Sequence, residues 1–277
     1  MITADFHNHT SFSTDSSASP SEMLERAIEL GITRYCITDH MDLDFPLDPK
    51  QFVFDPTEYF SCLNRLGERY SHDITLYKGI EIGLRNETEL RESLKMRYDE
   101  LLKSYPFDFV IGSVHCLEYC DPYYPDYWER HSAEEGLRLY FEAVLDCVTD
   151  YDNFDVLGHM DYLRRYVPKG RDYDLLRFTD LFDAILKILI SRGKGLEVNT
   201  SFYAKGGSEP HPNCFILKRY RELGGDLITI GSDAHSPKAL GAGYEDTRRL
   251  LLQNGYRYYA VFCGRKPEYH ELPLAGR

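Results

Sequence analysis

The chain has 277 residues, 43% hydrophobic and 28% charged, a composition that predicts a globular protein and excludes a disordered one. Thirty-two basic residues against 45 acidic ones give a formal net charge of -13, a field that repels nucleic acid and anionic membrane surfaces. The seven cysteines include no Cys-x-x-Cys pair, and the first residues, MITADFHNH, lack the basic and apolar regions of a signal peptide. We therefore expect a cytoplasmic protein with reduced thiols.

Short runs rich in β-branched residues alternate with longer amphipathic segments. Seven runs predict strands: ITADF (2–6), RYCIT (34–38), TLYKGIEI (75–82), FDFVIGSV (107–114), FDVLGH (154–159), KGLEVNT (194–200) and DLITIGS (226–232). A weaker eighth candidate is YYAVF at 258–262. The alternation predicts an α/β fold with a parallel sheet that is buried on both faces. No Gly-x-Gly-x-x-Gly follows the first strand, so a closed barrel is favoured over a dinucleotide-binding sheet.

The segments between these runs carry helix signals. SPSE at 19–22 combines a capping hydroxyl, a proline at the first helical position and an acid three residues after the cap. The following MLERAIELG keeps helical spacing up to a stop at Gly31. Two further helices are predicted over 134–150 and 174–195.

The segment 116–132, CLEYCDPYYPDYWERHS, is long, aromatic and proline-bearing. This composition predicts an irregular loop, or lid, over the mouth of the fold. No low-complexity linker interrupts the chain, so we expect residues 1–277 to form a single barrel domain.

Side chains that can bind metals follow or end every one of the seven predicted strands. In chain order they are His7, His9 and Asp15; Asp39 and His40; Glu81; His115; His159 and Asp161; Glu197 and Asn199; and Asp233 and His235. Six of the ten histidines thus lie at carboxyl ends of strands, which converge on one mouth in a parallel barrel. One such histidine more often serves structure, but six with several carboxylates are costly to bury unless a cation or a substrate satisfies them.

Nine of these residues are the firm candidates for metal ligands: His7, His9, Asp15, His40, Glu81, His115, His159, Asp233 and His235. A zinc-like ion takes about four ligands, and a catalytic ion keeps one position open. Nine ligands therefore predict two to three divalent ions if one carboxylate bridges. Imidazole with carboxylate favours zinc, manganese or iron over magnesium or calcium. The open positions argue against the alternative of a metal-binding protein without catalysis.

Several motifs now carry a family resemblance. In order, HNHT with Asp15, TDH, Glu81, GSVH, GH at 158–159 and GSDAH resemble the motifs of the PHP (polymerase and histidinol phosphatase) family of metal-dependent phosphoesterases. The resemblance covers about residues 5–265, and GHMDYLRRY and EVNTS make it most similar to the histidinol-phosphate phosphatase branch. It implies a distorted (β/α)7 TIM-like barrel with parallel strands and a three-metal site. It also implies hydrolysis of L-histidinol phosphate to L-histidinol and phosphate, a step of histidine biosynthesis.

The resemblance divides the ligands among three ions. His7, His9, Glu81 and Asp233 would hold the first; Glu81 would bridge to a second, completed by His115 and His159; and Asp15, His40 and His235 would hold the third. Some relatives have a histidine at the position of Asp15. The carboxylate here predicts a third site that prefers manganese or iron.

The predicted reaction begins with metal-bound water, whose pKa falls to about 7. We predict that a hydroxide bridging the first two ions attacks phosphorus in line with the leaving alkoxide, while the ions share the charge on the phosphoryl oxygens. His40 or Asp233 is the predicted proton donor to the departing alcohol.

For the phosphate we predict a contact from Arg164 rather than from the adjacent Arg165, because neighbouring side chains rarely face one way. Lys205 and Asn199 are the other predicted substrate contacts. In the resembling branch an arginine–lysine pair follows the sixth strand, whereas here Ala204 stands in the place of the arginine.

Two other functions stay open at this point. The first is a family member that acts on nucleotides or other small phosphate monoesters, which shares the same metal ligands. The second is a nuclease or proofreading module, against which the net charge of -13 and the lack of a basic groove pattern argue. The predicted partner is a small phosphate monoester, with neither nucleic acid nor a membrane surface.

Overall fold

The computed structural model of the protein describes residues 1–274. The strands in this part are β1 Ala4–Asp5, β2 Arg34–Ile37, β3 His40–Met41, β4 Thr75–Gly83, β5 Phe109–Ser113, β6 Val156–Leu157, β7 Gly195–Asn199, β8 Ile228–Gly231, β9 Tyr258–Cys263 and β10 Lys266–Glu271. The helices are α1 Pro20–Glu29, α2 Pro56–Arg69, α3 Thr88–Ser104, α4 Pro125–Arg130, α5 Ala133–Asp150, α6 Thr179–Ser191, α7 Ser201–Ala204, α8 Cys214–Glu222 and α9 Tyr244–Gln253. None of these helices has the length and apolarity needed to cross a membrane.

Seven strands form a sheet in the order β1-β2-β4-β5-β6-β7-β8, in which all neighbours are parallel. The short β3 pairs in parallel with the end of β4. The two ends of the sheet meet through backbone hydrogen bonds, because Phe6 N–H donates to the carbonyl of Ile230 (2.9 Å) and Asp233 N–H to that of His7 (2.7 Å). Strand lengths run from two residues in β1 to nine in β4. The prediction of a distorted (β/α)7 TIM-like barrel with parallel strands is confirmed.

Apolar side chains fill the barrel below its mouth. The ring of Phe6, just after β1, lies 5.2 Å from that of Tyr77 and 5.4 Å from that of Phe109, measured between centroids. Tyr77 and Phe109 belong to β4 and β5, which are not ladder neighbours of β1, so these rings meet across the interior. All residues of β5 and β7 are buried, as expected for strands covered by helices outside and packed side chains inside.

Helix α1 begins with the predicted capping box. The Ser19 hydroxyl accepts the N–H of Glu22 at 3.2 Å, and the Glu22 carboxylate accepts the N–H of Ser19 at 2.8 Å. Gly31 follows the helix with a φ of 74°, a left-handed conformation that glycine adopts without steric cost. This prediction is confirmed, and so is that of a helix over 134–150, which α5 matches.

The helix predicted over 174–195 is shorter and interrupted. A 3-10 turn, Leu175–Phe178, precedes α6, which ends at Ser191. Gly193 has a φ of 64°, which stops the helix, and Gly195 already belongs to β7.

The eighth predicted run, 258–262, is a strand but not a barrel strand. It forms β9, which pairs in antiparallel fashion with β10 in a separate hairpin. The turn residues Gly264 and Arg265 both have positive φ, 54° and 65°, as a two-residue hairpin turn requires. The chain therefore folds back on itself here instead of joining the parallel sheet.

Tyr98 on α3 forms hydrogen bonds to the backbone near the mouth of the barrel. Its hydroxyl lies 2.9 Å from the carbonyl oxygens of both Met41 and Gly83, to which it donates, and it accepts the N–H of Leu43 at 3.1 Å. The side chain is only 1% exposed. This hydroxyl thus ties α3 to the ends of β3 and β4.

We expect Tyr98→Phe to lower the free energy of unfolding by about 1–3 kcal/mol, because backbone groups around the ring lose a buried partner. Chemical denaturation followed by circular dichroism measures the change. The control is Tyr258→Phe, at a side chain 47% exposed, which should stay within about 0.5 kcal/mol of wild type. Equal losses in both variants would contradict the role assigned to the Tyr98 hydroxyl.

Candidate metal centre

The nine residues predicted as metal ligands lie together at the mouth of the barrel. Eight of them form four overlapping groups whose ligand atoms lie within 4.8 Å of one another: His9, His40 and His235; His7, His9 and Asp233; His7, Glu81 and His159; and His40, Glu81 and His115. The ninth, Asp15, has a carboxylate oxygen 2.9 Å from Nε2 of His235 and 3.7 Å from Nε2 of His40. Residues that are far apart in sequence therefore share one crater.

The carboxylate of Glu81 lies at the centre of this crater and is fully buried. Its oxygens approach ring nitrogens of five histidines: His159 at 2.9 Å, His40 at 3.0 Å, His7 at 3.1 Å, His115 at 3.2 Å and His9 at 3.5 Å. One oxygen, Oε1, faces His115 and His159, whereas Oε2 faces the other three. A carboxylate with one oxygen toward each group of rings has the geometry of a bridging ligand.

The donor atoms fit divalent transition-metal ions. Nε2 of His7 faces Nε2 of His9 at 3.0 Å, and Nε2 of His115 faces Nε2 of His159 at 3.4 Å. Two facing ring nitrogens share at most one proton between them, whereas both lone pairs can bind a single cation. Ligand atoms around a zinc ion are on the order of 3–3.5 Å apart, which these separations match. Oε2 of Glu81 is buried without a hydrogen bond of good geometry, as expected of an oxygen whose partner is an ion.

Charges in the crater strongly shift one another's pKa. Burial lowers the pKa of the His115 ring, but the carboxylates of Asp42 and Glu81 outweigh it and raise that pKa to about 10. Burial raises the pKa of Glu81, yet the facing rings, His7 first among them, hold it well below its usual range. Burial, reinforced by two neighbouring rings, lowers the pKa of His9 to about 3. The shift of His9 favours the neutral ring, the form that binds metals, whereas the carboxylates around His115 favour its protonated form until a cation replaces the proton.

Glu197 contacts His7 and His159 through atoms that do not face the other candidate ligands, although the sequence analysis left it outside the ligand set. Its Oε1 lies 2.5 Å from Nδ1 of His7, and its Oε2 accepts the N–H of His159 at 2.7 Å. A carboxylate on the outer nitrogen fixes the tautomer and leaves Nε2 of His7 free to bind a metal.

Asp42 gives the same support to another part of the crater, and the sequence analysis missed it. One of its oxygens lies 2.7 Å from Nδ1 of His115, and the other 3.3 Å from Nδ1 of His40. A Cβ at Gly83 would lie 1.8 Å from Oδ1 of Asp42, so only glycine leaves room for this carboxylate.

A cavity of about 620 Å³ opens over the ligands. Its wall includes carboxylates (Asp15, Asp42, Asp121 and Asp233), basic groups (Arg165 and Lys205) and aromatic rings (Phe45, Phe52, Tyr123, Tyr124, Tyr162 and Tyr166). The segment 116–132 supplies Asp121, Tyr123 and Tyr124, and it contains the short helix α4 rather than being irregular throughout. Trp128 of α4 is 3% exposed, and its Nε1 donates to the carbonyl of Pro122 at 2.8 Å, which anchors the segment.

Comparison with known proteins identifies the family. The PHP domain model matches residues 5–201. The chain belongs to the PHP family. A histidinol-phosphatase of Lactococcus lactis subsp. lactis is 32% identical and covers 96% of each chain; a probable histidinol-phosphatase of Clostridium acetobutylicum is 33% identical, covering 98% of this chain and 97% of its own. A crystal structure of histidinol phosphate phosphatase from L. lactis, complexed with zinc, L-histidinol and phosphate, has a TM-score of 0.87 at 30% identity, covering 96% of this chain and 98% of its own. The resemblance seen in the motifs is confirmed.

Asn199 does not line the cavity of this PHP protein, which corrects its prediction as a substrate contact. The side chain is fully buried, and its Nδ2 lies 3.2 Å from Oδ2 of Asp233 and 3.3 Å from Oε1 of Glu197, to which it donates. Its Oδ1 accepts the hydroxyl of Ser201 at 2.6 Å. With its polar atoms engaged inside the protein, Asn199 positions Asp233 and has no group left for a substrate.

The structure also places the two neighbouring arginines opposite to the prediction. Arg164 turns away from the PHP cavity, because its guanidinium pairs with Asp161 at 2.6 Å and Glu209 at 3.1 Å. Arg165 lines the cavity beside Lys205, and its Nη1 donates to the Ser201 hydroxyl at 3.2 Å. Of these two arginines, Arg165 and not Arg164 therefore faces the cavity.

We expect Asp42→Asn to weaken metal binding to the PHP centre by about 10–100-fold, because the outer nitrogen of His115 loses its carboxylate partner. Competition between the protein and a chromophoric chelator for Zn²⁺ measures the affinity. Asp73→Asn removes the same charge at an exposed position and should bind metal as wild type does. Wild-type affinity in Asp42→Asn would show that this carboxylate does not support a ligand.

Proposed function

We propose that this PHP protein is a phosphatase that hydrolyses L-histidinol phosphate to L-histidinol and inorganic phosphate with the aid of divalent metal ions. The observation that carries the proposal is the crater around Glu81, which faces a cavity lined by Arg165 and Lys205. A phosphate monoester is doubly charged near neutral pH, and clustered cations with two basic side chains neutralise it. The relatives named histidinol-phosphatase, 32% and 33% identical over nearly the whole chain, support histidinol phosphate as the monoester.

We assign two to three divalent ions, zinc, manganese or iron, to the crater. The proposed ligand sets are His7, His9, Glu81 and Asp233; Glu81, His115 and His159; and Asp15, His40 and His235. When bound, such ions lower the pKa of water and share the negative charge of the phosphoryl oxygens. The oxygen donor of Asp15 supports manganese or iron in the third set.

Arg165 and Lys205 are the proposed phosphate contacts of the chain itself. The Arg165 guanidinium lies over the rings of Tyr162 and Tyr166, at 5.3 and 4.8 Å from their centroids, and these contacts restrain it at the cavity wall. Its Nε is buried without a hydrogen-bond partner. Burial and the nearby Arg165 lower the pKa of the Lys205 ammonium. Two basic side chains on one cavity wall favour an anionic ligand.

Asp233 and His40 are the two residues to which we propose catalytic roles besides metal binding. Burial raises the pKa of Asp233, but His7, His9 and His235 outweigh it and hold that pKa well below its usual range, so the carboxylate stays ionised and can orient the attacking water by accepting its hydrogen bond. Burial lowers the pKa of His40, yet Glu81 and other carboxylates outweigh it and raise it, so in the form with two ions, in which Nε2 of His40 binds no metal, the ring can carry a proton to the departing alkoxide.

We further propose that residues 1–277 form one PHP-type barrel domain with segment 116–132 as its lid. The segment supplies part of the cavity wall, which supports this role. All seven cysteines are free thiols, which supports a cytoplasmic location. The proposed partner is the small phosphate monoester, with neither nucleic acid nor a membrane surface.

Phosphate release measured on a panel of monoesters tests the function. Protein stripped with a chelator should release no phosphate, and reloading with Zn²⁺, Mn²⁺ or Fe²⁺ should restore release from L-histidinol phosphate. We expect kcat/KM for this ester to exceed that for AMP and glucose 6-phosphate by about tenfold or more. Glu81→Gln, purified in the same way, measures the background from contaminating phosphatases.

If the protein prefers a nucleotide or a sugar phosphate, we would conclude that its substrates are other small phosphate monoesters and not L-histidinol phosphate. Equal release by Glu81→Gln and wild type would show that the crater does not perform the reaction.

A pair of variants tests the corrected phosphate contact. We expect Arg165→Gln to raise the KM for the phosphate ester by about tenfold or more while the protein stays folded, because a charge-assisted hydrogen bond to the anion is lost. Arg164→Gln should instead lower the free energy of unfolding by about 1–3 kcal/mol, because the buried Asp161 loses its charged arginine partner and keeps only His211 and the N–H of Asn213. Steady-state kinetics and thermal melting of both variants separate the two roles. A higher KM in Arg164→Gln alone would restore the original assignment.

A further inference from the structure

The cavity wall contains one carboxylate that takes no part in the ligand cluster. Of the four acidic residues on the wall, three have an oxygen near a histidine nitrogen: Asp15 at 2.9 Å, Asp42 at 2.7 Å and Asp233 at 3.2 Å. Within residues 1–274 the fourth, Asp121, has no Lys, Arg or His nitrogen within 4.0 Å of its carboxylate. Its Oδ1 accepts the N–H of Tyr123 at 2.8 Å, and no hydrogen-bond donor among the described residues contacts its Oδ2. Asp121 is therefore available for a cation that enters the cavity.

The surroundings of Asp121 suit an organic cation rather than a metal ion. Tyr123 and Tyr124 come from the same segment, and Tyr162 and Tyr166 lie on the same cavity wall. The rings of Tyr123 and Tyr166 meet edge to face with centroids 5.3 Å apart. A carboxylate among aromatic faces receives an alkylammonium by charge and by cation–π attraction, whereas a metal ion needs several donor atoms.

The position of Asp121 is fixed by the packing of its segment. The indole of Trp128 donates to the carbonyl of Pro122, the next residue along the chain, and is itself buried. The backbone around Asp121 is thus held at the mouth by a buried anchor. A fixed carboxylate selects among ligands better than a mobile one, because less freedom is lost on binding.

We propose that Asp121 binds the primary ammonium group of the substrate and so selects phosphate esters of amino alcohols. The inference rests on the proposed function and adds to it the residue that recognises the leaving alcohol. L-Histidinol phosphate carries this ammonium together with an imidazole. Near pH 8 a free imidazole, with a pKa of about 6.5, is mostly neutral, so the ammonium is the cation that Asp121 meets. The phosphate lies against Arg165 and Lys205, and the ammonium against Asp121.

Two esters that differ only in the ammonium test this inference: L-histidinol phosphate and 3-(imidazol-4-yl)propyl phosphate. In metal-loaded wild-type protein at pH 8, kcat/KM for the ammonium-bearing ester should be about tenfold or more above that for the other. In Asp121→Asn the ratio should fall to within about twofold of one, mainly through a higher KM for L-histidinol phosphate. Asparagine keeps an oxygen for the Tyr123 N–H and removes only the charge. Asp121→Glu, which restores the charge, should recover part of the ratio.

The matched control is Asp126→Asn, which removes the same charge from an exposed position of the same segment. This variant should keep the wild-type ratio, which would show that the overall charge of the segment is not the cause. An unchanged ratio in Asp121→Asn would overturn the proposal. An equal loss of kcat/KM for both esters would also overturn it, since a merely structural role predicts that result.

Binding of the product separates this proposal from the proposed function. Calorimetric titration with L-histidinol should show affinity in wild type and a loss of about tenfold or more in Asp121→Asn. If wild type releases phosphate from neither ester but binds L-histidinol through Asp121, the proposed function fails and the ammonium site stands. If wild type hydrolyses L-histidinol phosphate and Asp121→Asn binds L-histidinol equally well, the function stands and the ammonium site fails.

Discussion

The buried carboxylate of Glu81, which faces five histidine rings, is the contact on which the whole arrangement depends. An ionised carboxylate and several ring lone pairs have a high free energy away from water unless cations balance them. The parallel barrel makes the cluster possible, because β4 carries Glu81 between β3, which begins with His40, and β5, which leads to His115. Ions that bind this crater bind only the folded chain, so metal binding and stability are coupled.

Much of the fold and of the ligand cluster could be predicted from the sequence, because one alternation pattern and one rule of barrel geometry determine them. Alternating apolar runs and amphipathic segments predicted the seven parallel strands, and the rule that strand ends converge placed nine distant candidate ligands at one mouth. The orientation of Arg164 and Arg165 could not be derived in this way. Both lie in the 3-10 helix Tyr162–Tyr166, where neither the period of a strand nor that of an α-helix applies. There the partners of Arg164, chiefly the buried Asp161, decide which side chain faces the cavity.

Asp42 and Glu197 show a second limit, since their contacts join segments that are remote in sequence. Asp42 reaches His115, and Glu197 reaches His7, across the barrel mouth. A signal for Asp42 was nevertheless present, because the triplet HMD occurs at 40–42 and again at 159–161. In both copies the aspartate lies two residues after a predicted ligand and pairs with a histidine elsewhere, His211 in the second copy. A carboxylate two residues beyond a strand-end histidine is thus a candidate for ring orientation.

The segment 116–132 differs from the rest of the mouth in the way the chain supplies it. The candidate metal ligands come from several strands around the mouth, from His7 after β1 to His235 after β8. Part of the cavity wall, in contrast, comes from one uninterrupted stretch, 116–132, held by the Trp128 indole. Replacement or lengthening of that stretch can therefore alter which ester is accepted while the hydrolytic apparatus stays intact. A common scaffold of this kind can acquire new substrate ranges by the exchange of a single loop.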